Sequence, residues 1–143
     1  MKLVVVDIDG TVSDWRWREQ FMDDKEKFYE LSPHDPPHED MCELVKTLAN
    51  SRKYKIVFLT GRGQRHAKMT SEWLADHVTY PLYEDVIMRP DGDERPDHEV
   101  KVEAFMSKYK LGDIAFVLED RTSVVEAWRK LGVRVLQVSN YEK

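Results

Sequence analysis

Five short stretches of the chain, residues 3–6, 56–59, 86–88, 114–118 and 133–138, are apolar at nearly every position. A strand with one face in water alternates apolar and polar residues, so unbroken runs of this length predict strands covered on both faces, as in a parallel sheet. Between them the period changes. Met41, Leu44, Val45 and Leu48 carry the i, i+3, i+4, i+7 spacing of an amphipathic helix. Further helical patterns run over 64–77, 99–109 and 122–131, the last closed by Gly132 as its C-cap. Strand and helix in alternation predict an α/β fold with a doubly wound parallel sheet, and 143 residues is the size of a single domain spanning 1–143. Residues 21–31 predict one more helix, followed by the turn-rich SPHDPPHED, and RPDGDERPD near residue 90 reads as an exposed loop.

Composition narrows this picture in two ways. A formal net charge of −5 gives no global attraction to nucleic acid or to an anionic membrane, so any polyanion has to be gripped locally. Cys42 is the single cysteine, which excludes an intramolecular disulfide and a thiolate metal cage and points to a reducing, cytoplasmic setting. The N-terminal run carries one lysine and is too short for a signal peptide or a membrane span, so no membrane partner is expected.

Ligands of doubly wound sheets bind at the carboxyl ends of the strands, and the unusual residues fall there. Asp7, Asp9, Gly10 and Thr11 follow the first run; Thr60, Gly61 and Arg62 follow the second; Glu119, Asp120 and Arg121 follow the fourth. If the first strand simply continued, Asp7 and Asp9 would face the same way, and two carboxylates held that close call for a shared proton or a bound cation. A carboxylate on a rigid strand end can attack phosphorus and form an aspartyl-phosphate, which makes Asp7 a candidate nucleophile. Asp9 can protonate a leaving alcohol and then deprotonate the attacking water. Gly10 lets the backbone turn and bring N–H groups to phosphate oxygens. Mg²⁺, held by oxygen ligands including Asp7 and Asp120, would neutralise the pair and clamp a phosphate oxygen.

The motifs DIDGT, FLTGR and LEDR resemble the first, second and fourth motifs of the haloacid dehalogenase superfamily of phosphotransferases. The resemblance implies Asp7 as nucleophile, Asp9 as general acid/base with its backbone carbonyl on Mg²⁺, Thr60 on the phosphate and Asp120 as a metal ligand. It also implies Lys101, in HEVKVEAF, as the lysine that steadies the nucleophile; Lys108 and Lys110 lie nearby, but Lys101 opens the helical pattern. FLTGR, KVEAF and EDRTSVVEAWRKLGVRVLQV look more narrowly like the 3′-phosphatase domain of phage polynucleotide kinase-phosphatases. Two departures stand out. No GxxxxGK[ST] loop occurs, and Glu119 stands where the fourth motif often has a first Asp, which suggests contact with the metal through water or through its other ligands.

The chain leaves room for a minimal cap at most, and an open site admits the end of a polymer. Arg62 and Arg121 are placed by sequence to hold phosphate or to pair with loop carboxylates, and the backbone of Gly10, Thr11 and Gly61 to line the substrate. In WRWR, Trp15 and Trp17 could stack a base or simply pack locally. Trp73 and Trp128 fall on apolar helix faces, and His34, His38, His66, His77 and His98 lack ligand spacing and read as surface residues. The acidic DGDERPD lacks the spacing of a calcium loop. The reading is a Mg²⁺-dependent phosphomonoesterase that clears 3′-phosphates from DNA or RNA ends, and the sequence leaves open whether it works alone, pairs with itself or complements a separate kinase or ligase. Two rivals stand beside it: a phosphatase of free nucleotides or other small metabolites, and a non-catalytic interaction module.

Overall fold

The computed structural model describes residues 1–141. Strands β1 (Lys2–Val6), β2 (Tyr54–Gly63), β3 (Asp85–Arg89), β4 (Ile114–Glu119) and β5 (Val135–Gln137) form one parallel sheet in the order β3-β2-β1-β4-β5. Side chains of a strand alternate between faces, and in β1 both faces are buried. Leu3 and Val5 join Val57, Leu59, Phe105 and Trp128 in one core, while Val4 and Val6 join Ile56, Phe58, Trp73 and Leu74 in the other. The unbroken apolar run in the sequence is the record of those two cores.

Helices α2 (Glu39–Asn50) and α3 (Ala67–His77) supply Val45, Trp73 and Leu74 to one core; α4 (Asp97–Met106) and α5 (Thr122–Lys130) supply Phe105, Val125 and Trp128 to the other. This partition follows from right-handed crossovers. The chain steps outward from β1 through β2 to β3 with its helices on one face, then returns to β4 and β5 with its helices on the opposite face. The direction of winding reverses beside β1, and the crevice at the carboxyl ends opens there.

Several boundaries differ from the sequence pattern. The helix expected over 21–31 is divided: a 3₁₀ segment covers Arg16–Phe21, and α1 (Lys25–Glu30) starts only after Asp24, whose carboxylate accepts the Lys27 N–H at 3.2 Å as its N-cap. β2 runs four residues past its apolar core, through Thr60–Gly63. Glycine permits this extension, since a Cβ on Gly61 would sit 2.5 Å from the Asp97 carboxylate. Gly132, at φ +81°, closes α5 as expected, with the Val133 N–H donating to the Trp128 carbonyl at 3.1 Å. No helix among the described residues is long and apolar enough to cross a membrane.

Candidate active site

The first strand does not run on to Asp9. Asp7 N–H still donates to the Leu118 carbonyl at 3.0 Å, but the Ile8 carbonyl then accepts from the N–H groups of Thr11, Val12 and Ser13 within 3.1 Å, folding the chain into a tight turn. Gly10 makes that turn at φ +89°, and a Cβ at this position would overlap the Asp120 carboxylate, with the Asp120 Cγ 2.6 Å away. The turn separates the two aspartates and gives each its own cations. Asp7 accepts from Lys101 Nζ at 2.6 Å and from the Thr11 hydroxyl at 3.0 Å. Asp9 accepts from Arg62 Nη2 at 2.7 Å and Nε at 3.0 Å, and from Arg18 Nη2 at 2.8 Å. The expectation that a proton or a metal must relieve this pair is therefore incomplete, because a lysine and two arginines already do much of it.

At the end of β4, the carboxylates of Glu119 and Asp120 approach Asp7 so that one oxygen from each lies within 4.8 Å of the others. All three residues are buried. Lys101 Nζ bridges Asp7 to Glu119 Oε1 at 2.7 Å. Burial by itself would lower the pKa of this ammonium, but the charges of Asp7, Glu119 and Asp97 outweigh it and hold the pKa well above the ordinary lysine value. Glu119 Oε2 accepts the N–H groups of Asp120 at 2.9 Å and Arg121 at 3.3 Å, and Gln137 of β5 donates to the Asp120 carbonyl at 3.0 Å, so the strand end is braced on both sides. Three convergent carboxylates offering only oxygen suit a hard divalent cation of the Mg²⁺ kind. The donor set fits.

At Arg62 and Trp15 the structure takes one of two roles that the sequence left open. Arg62 is 1 % exposed and turns inward, forking onto Asp9 and donating to the Thr70 hydroxyl at 3.2 Å, so of the two roles the sequence left open, holding phosphate or pairing with a carboxylate, it has the second here. Burial opposes its charge, but Asp9 and Asp35 keep its pKa raised. Trp15 is buried against Phe28 and cannot stack an entering base, whereas Trp17 is partly exposed with its indole N–H on Asp35 at 2.8 Å. His66 also departs from the surface reading. It is buried, and burial together with Arg65 lowers its pKa.

Asp35 was not singled out by sequence, and Arg18 entered only within WRWR, as a stretch that could stack a base and contact the nucleic-acid backbone. Arg18 is fully buried, forked onto Asp35 at 2.7 and 2.6 Å and reaching Asp9 with the same guanidinium, so the WRWR and SPHDPPHED segments together build the cage around Asp9. The only signal was an arginine amid aromatic residues.

Thr60 is buried and its hydroxyl accepts the Arg62 N–H at 3.2 Å. Arg121 stands at the mouth and donates to Asp97 at 2.8 Å; Asp97 also pairs with Arg89, whose Nε holds the Gly61 carbonyl at 2.9 Å. Asp7, Lys101, Gly61 and Arg121 line a cleft of about 690 Å³, walled on one side by Met22, Lys25, Phe28, Tyr29 and His66 and on the other by residues 89–97. No large cap among the described residues covers it. The arrangement places a nucleophilic carboxylate beside an ammonium, with a second, arginine-held carboxylate two residues along.

Comparison with known proteins agrees with this geometry. The family described as the polynucleotide kinase PNKP phosphatase domain matches residues 1–142. A viral protein named as a bifunctional polynucleotide kinase/RNA ligase, from Autographa californica nuclear polyhedrosis virus, is 28% identical over 137 residues, 92% of this chain and 18% of that protein. Two structures of the Pnkp1/Rnl/Hen1 complex, one titled as an RNA repair complex, superpose with a TM-score of 0.81 over 99% of this chain at 26% and 27% identity. The chain spans 44% and 47% of those chains. A haloacid dehalogenase-like hydrolase of Streptococcus pneumoniae shares the fold, with a TM-score of 0.68 over 96% of this chain and 84% of its own at 11% identity.

Proposed function

The chain belongs to the family of the polynucleotide kinase PNKP phosphatase domain and is a phosphatase of the haloacid dehalogenase type, and from that premise we propose that it removes 3′-phosphates from nucleic-acid ends in a Mg²⁺-dependent reaction. The observation that carries the reading is the convergence of Asp7, Lys101, Glu119 and Asp120 at one strand edge, opening on a cleft that no large cap among the described residues covers.

In this mechanism Asp7 attacks the phosphorus, forming an aspartyl-phosphate as the bond from phosphorus to the ribose or deoxyribose 3′-oxygen breaks. Asp9, oriented by Arg18 and Arg62, gives its proton to that departing oxygen. Asp9 then takes a proton from water, which attacks phosphorus and returns Asp7 as a free carboxylate. Lys101 keeps Asp7 aligned and offsets charge gathering on the phosphoryl oxygens. Asp7, Asp120, the Asp9 carbonyl and, directly or through water, Glu119 would hold Mg²⁺, which supplies Lewis-acid polarisation of the phosphoryl group. The peptide turn at Gly10 and Thr11, Thr60 and Gly61 would receive the phosphate, with Arg121 at its edge.

Relatives that carry kinase and ligase names support a working partnership with such enzymes in end repair, and the lone, buried Cys42 supports a reducing compartment. Phosphate release from a 3′-phosphorylated oligonucleotide, its 5′-phosphorylated counterpart and the 3′- and 5′-mononucleotides, each with Mg²⁺ and with EDTA, tests the reading. Metal-dependent release from the 3′ end of the polymer is expected. Equal turnover of mononucleotides would favour a small-metabolite phosphatase, and activity untouched by EDTA would remove the metal.

A further inference from the structure

The mechanism above needs the Asp9 carboxylate aimed at the departing oxygen, and two arginines aim it in different ways. Arg62 forks onto Asp9 with Nε and Nη2. Arg18 gives Asp9 a single N–H, from Nη2, and forks instead onto Asp35, Nε to Oδ1 at 2.7 Å and Nη2 to Oδ2 at 2.6 Å. Its Nη1 donates to the Phe28 carbonyl at 2.7 Å. Every nitrogen of that guanidinium is committed, and Asp35 occupies the planar edge best suited to fork onto a carboxylate.

Asp35 is fixed as firmly as the arginine it holds. Its side chain is fully buried, Oδ1 also accepts the Trp17 indole N–H at 2.8 Å, and its backbone carbonyl accepts the Trp73 indole N–H at 3.0 Å. Asp35 thereby joins the Arg16–Phe21 segment to α3. Arg62 Nη2 lies 3.7 Å from Asp35 Oδ2, so both guanidiniums stand between the two carboxylates. A buried ion cluster of this kind is often no more stabilising than apolar packing of the same volume. What it supplies here is a fixed direction for each hydrogen bond that reaches Asp9.

We propose that Asp35 is a positioning residue for the leaving-group step: by taking the forked edge of Arg18, it limits that arginine to one hydrogen bond on Asp9 and keeps Asp9 in the orientation that delivers its proton. The assignment rests on the reading of Asp9 as the general acid and adds a residue that acts on it through Arg18. Without the Asp35 carboxylate, the Nε–Nη2 edge of Arg18 turns toward Asp9, competes with the Arg62 fork and draws the carboxylate away from the departing oxygen.

The test compares p-nitrophenyl phosphate with phenyl phosphate, which has the poorer leaving group, each with Mg²⁺, using wild-type protein, Asp35→Asn and Asp9→Asn. On both substrates kcat/KM reports formation of the aspartyl-phosphate, the step in which a proton donor helps the poorer leaving group most. Asparagine keeps the shape of Asp35 and one acceptor oxygen, but its amide nitrogen cannot accept from Arg18. Asp35→Asn is expected to lower kcat/KM on phenyl phosphate about tenfold more than on p-nitrophenyl phosphate, and Asp9→Asn to show the same bias more strongly. Measured on one preparation, this ratio does not depend on the fraction of protein folded, whereas a merely structural role lowers both activities alike. Equal losses in Asp35→Asn beside a biased loss in Asp9→Asn overturn the positioning role and leave the acid in place. Equal losses in Asp9→Asn overturn the acid and the proposal with it. Asp35→Glu keeps the charge but moves the fork; it is expected to shift the ratio in the same direction, and it decides if Asp35→Asn does not fold. Failure of both Asp35 variants to fold assigns the residue to stability alone and overturns the proposal.

Discussion

Asp7 and Lys101 meet at 2.6 Å across 94 residues of sequence, and both are almost fully buried. A buried ion pair of this kind is weak evidence of stability, but it fixes the orientation of a carboxylate whose oxygen must face phosphorus. Asp7→Asn keeps the shape and removes the nucleophile, so turnover of any phosphomonoester is expected to fall by about 10³-fold or more, measured as phosphate release. Turnover within tenfold of wild type would remove Asp7 from that role. His66 supports a prediction on pH. Its pKa is depressed in the folded protein, so the unfolded chain takes up the proton first as the medium acidifies. The stability it contributes is present above the imidazole's ordinary value of about 6.5 and is lost as pH falls through the lower folded value. The stability difference between wild type and His66→Asn, from urea denaturation at pH 7.5 and pH 5, is expected to shift against wild type on acidification.

The elements set where these residues stand. β1 ends at Val6 because the Ile8–Ser13 turn takes over its hydrogen bonds, and that turn depends on Gly10 at φ +89° with the Asp120 carboxylate packed against its Cα. Gly10→Ala brings a left-handed backbone cost of about 1–2 kcal/mol and pushes the Asp120 carboxylate aside. Loss of thermal stability together with at least a 100-fold loss of activity is expected; a fully active Gly10→Ala protein would show that Asp120 tolerates displacement. DIDGT was legible as a motif, yet period two misplaced Asp9, because alternation holds only while the strand ladder continues. The helix expected over 21–31 failed at Asp24 for a similarly local reason, the competition of a capping carboxylate with the helix interior.

At the scale of the whole molecule, five parallel strands bring residues from three separate strand ends into one crevice, and a metal bound there would tie β1 to β4. Ligands that bind only the folded state raise its stability by mass action. Addition of millimolar Mg²⁺ is expected to raise Tm by a few degrees, roughly 1 kcal/mol or more if the concentration exceeds Kd severalfold. Asp120→Ala is expected to abolish most of that increment, read by thermal denaturation with and without EDTA. A Tm unmoved by Mg²⁺ in the wild type, or moved equally in the variant, would argue against the acidic cluster as the site.

The amino-acid sequence by itself determined the α/β class, the order of strands and helices, the two cores implied by unbroken apolar runs, and the motif residues Asp7, Asp9, Thr60, Lys101, Glu119 and Asp120. These are written locally, in period and in short motifs, so a linear reading reaches them. Only the tertiary structure decided what compensates each carboxylate. Arg18 and Arg62 converge on Asp9 from up to 53 positions away, Arg18 being held in turn by Asp35, and the guanidinium of Arg62 turns inward because a buried carboxylate waits there. Long-range electrostatic pairing leaves no periodic trace in sequence, since a charged residue destined for the interior looks the same in the chain as one destined for water.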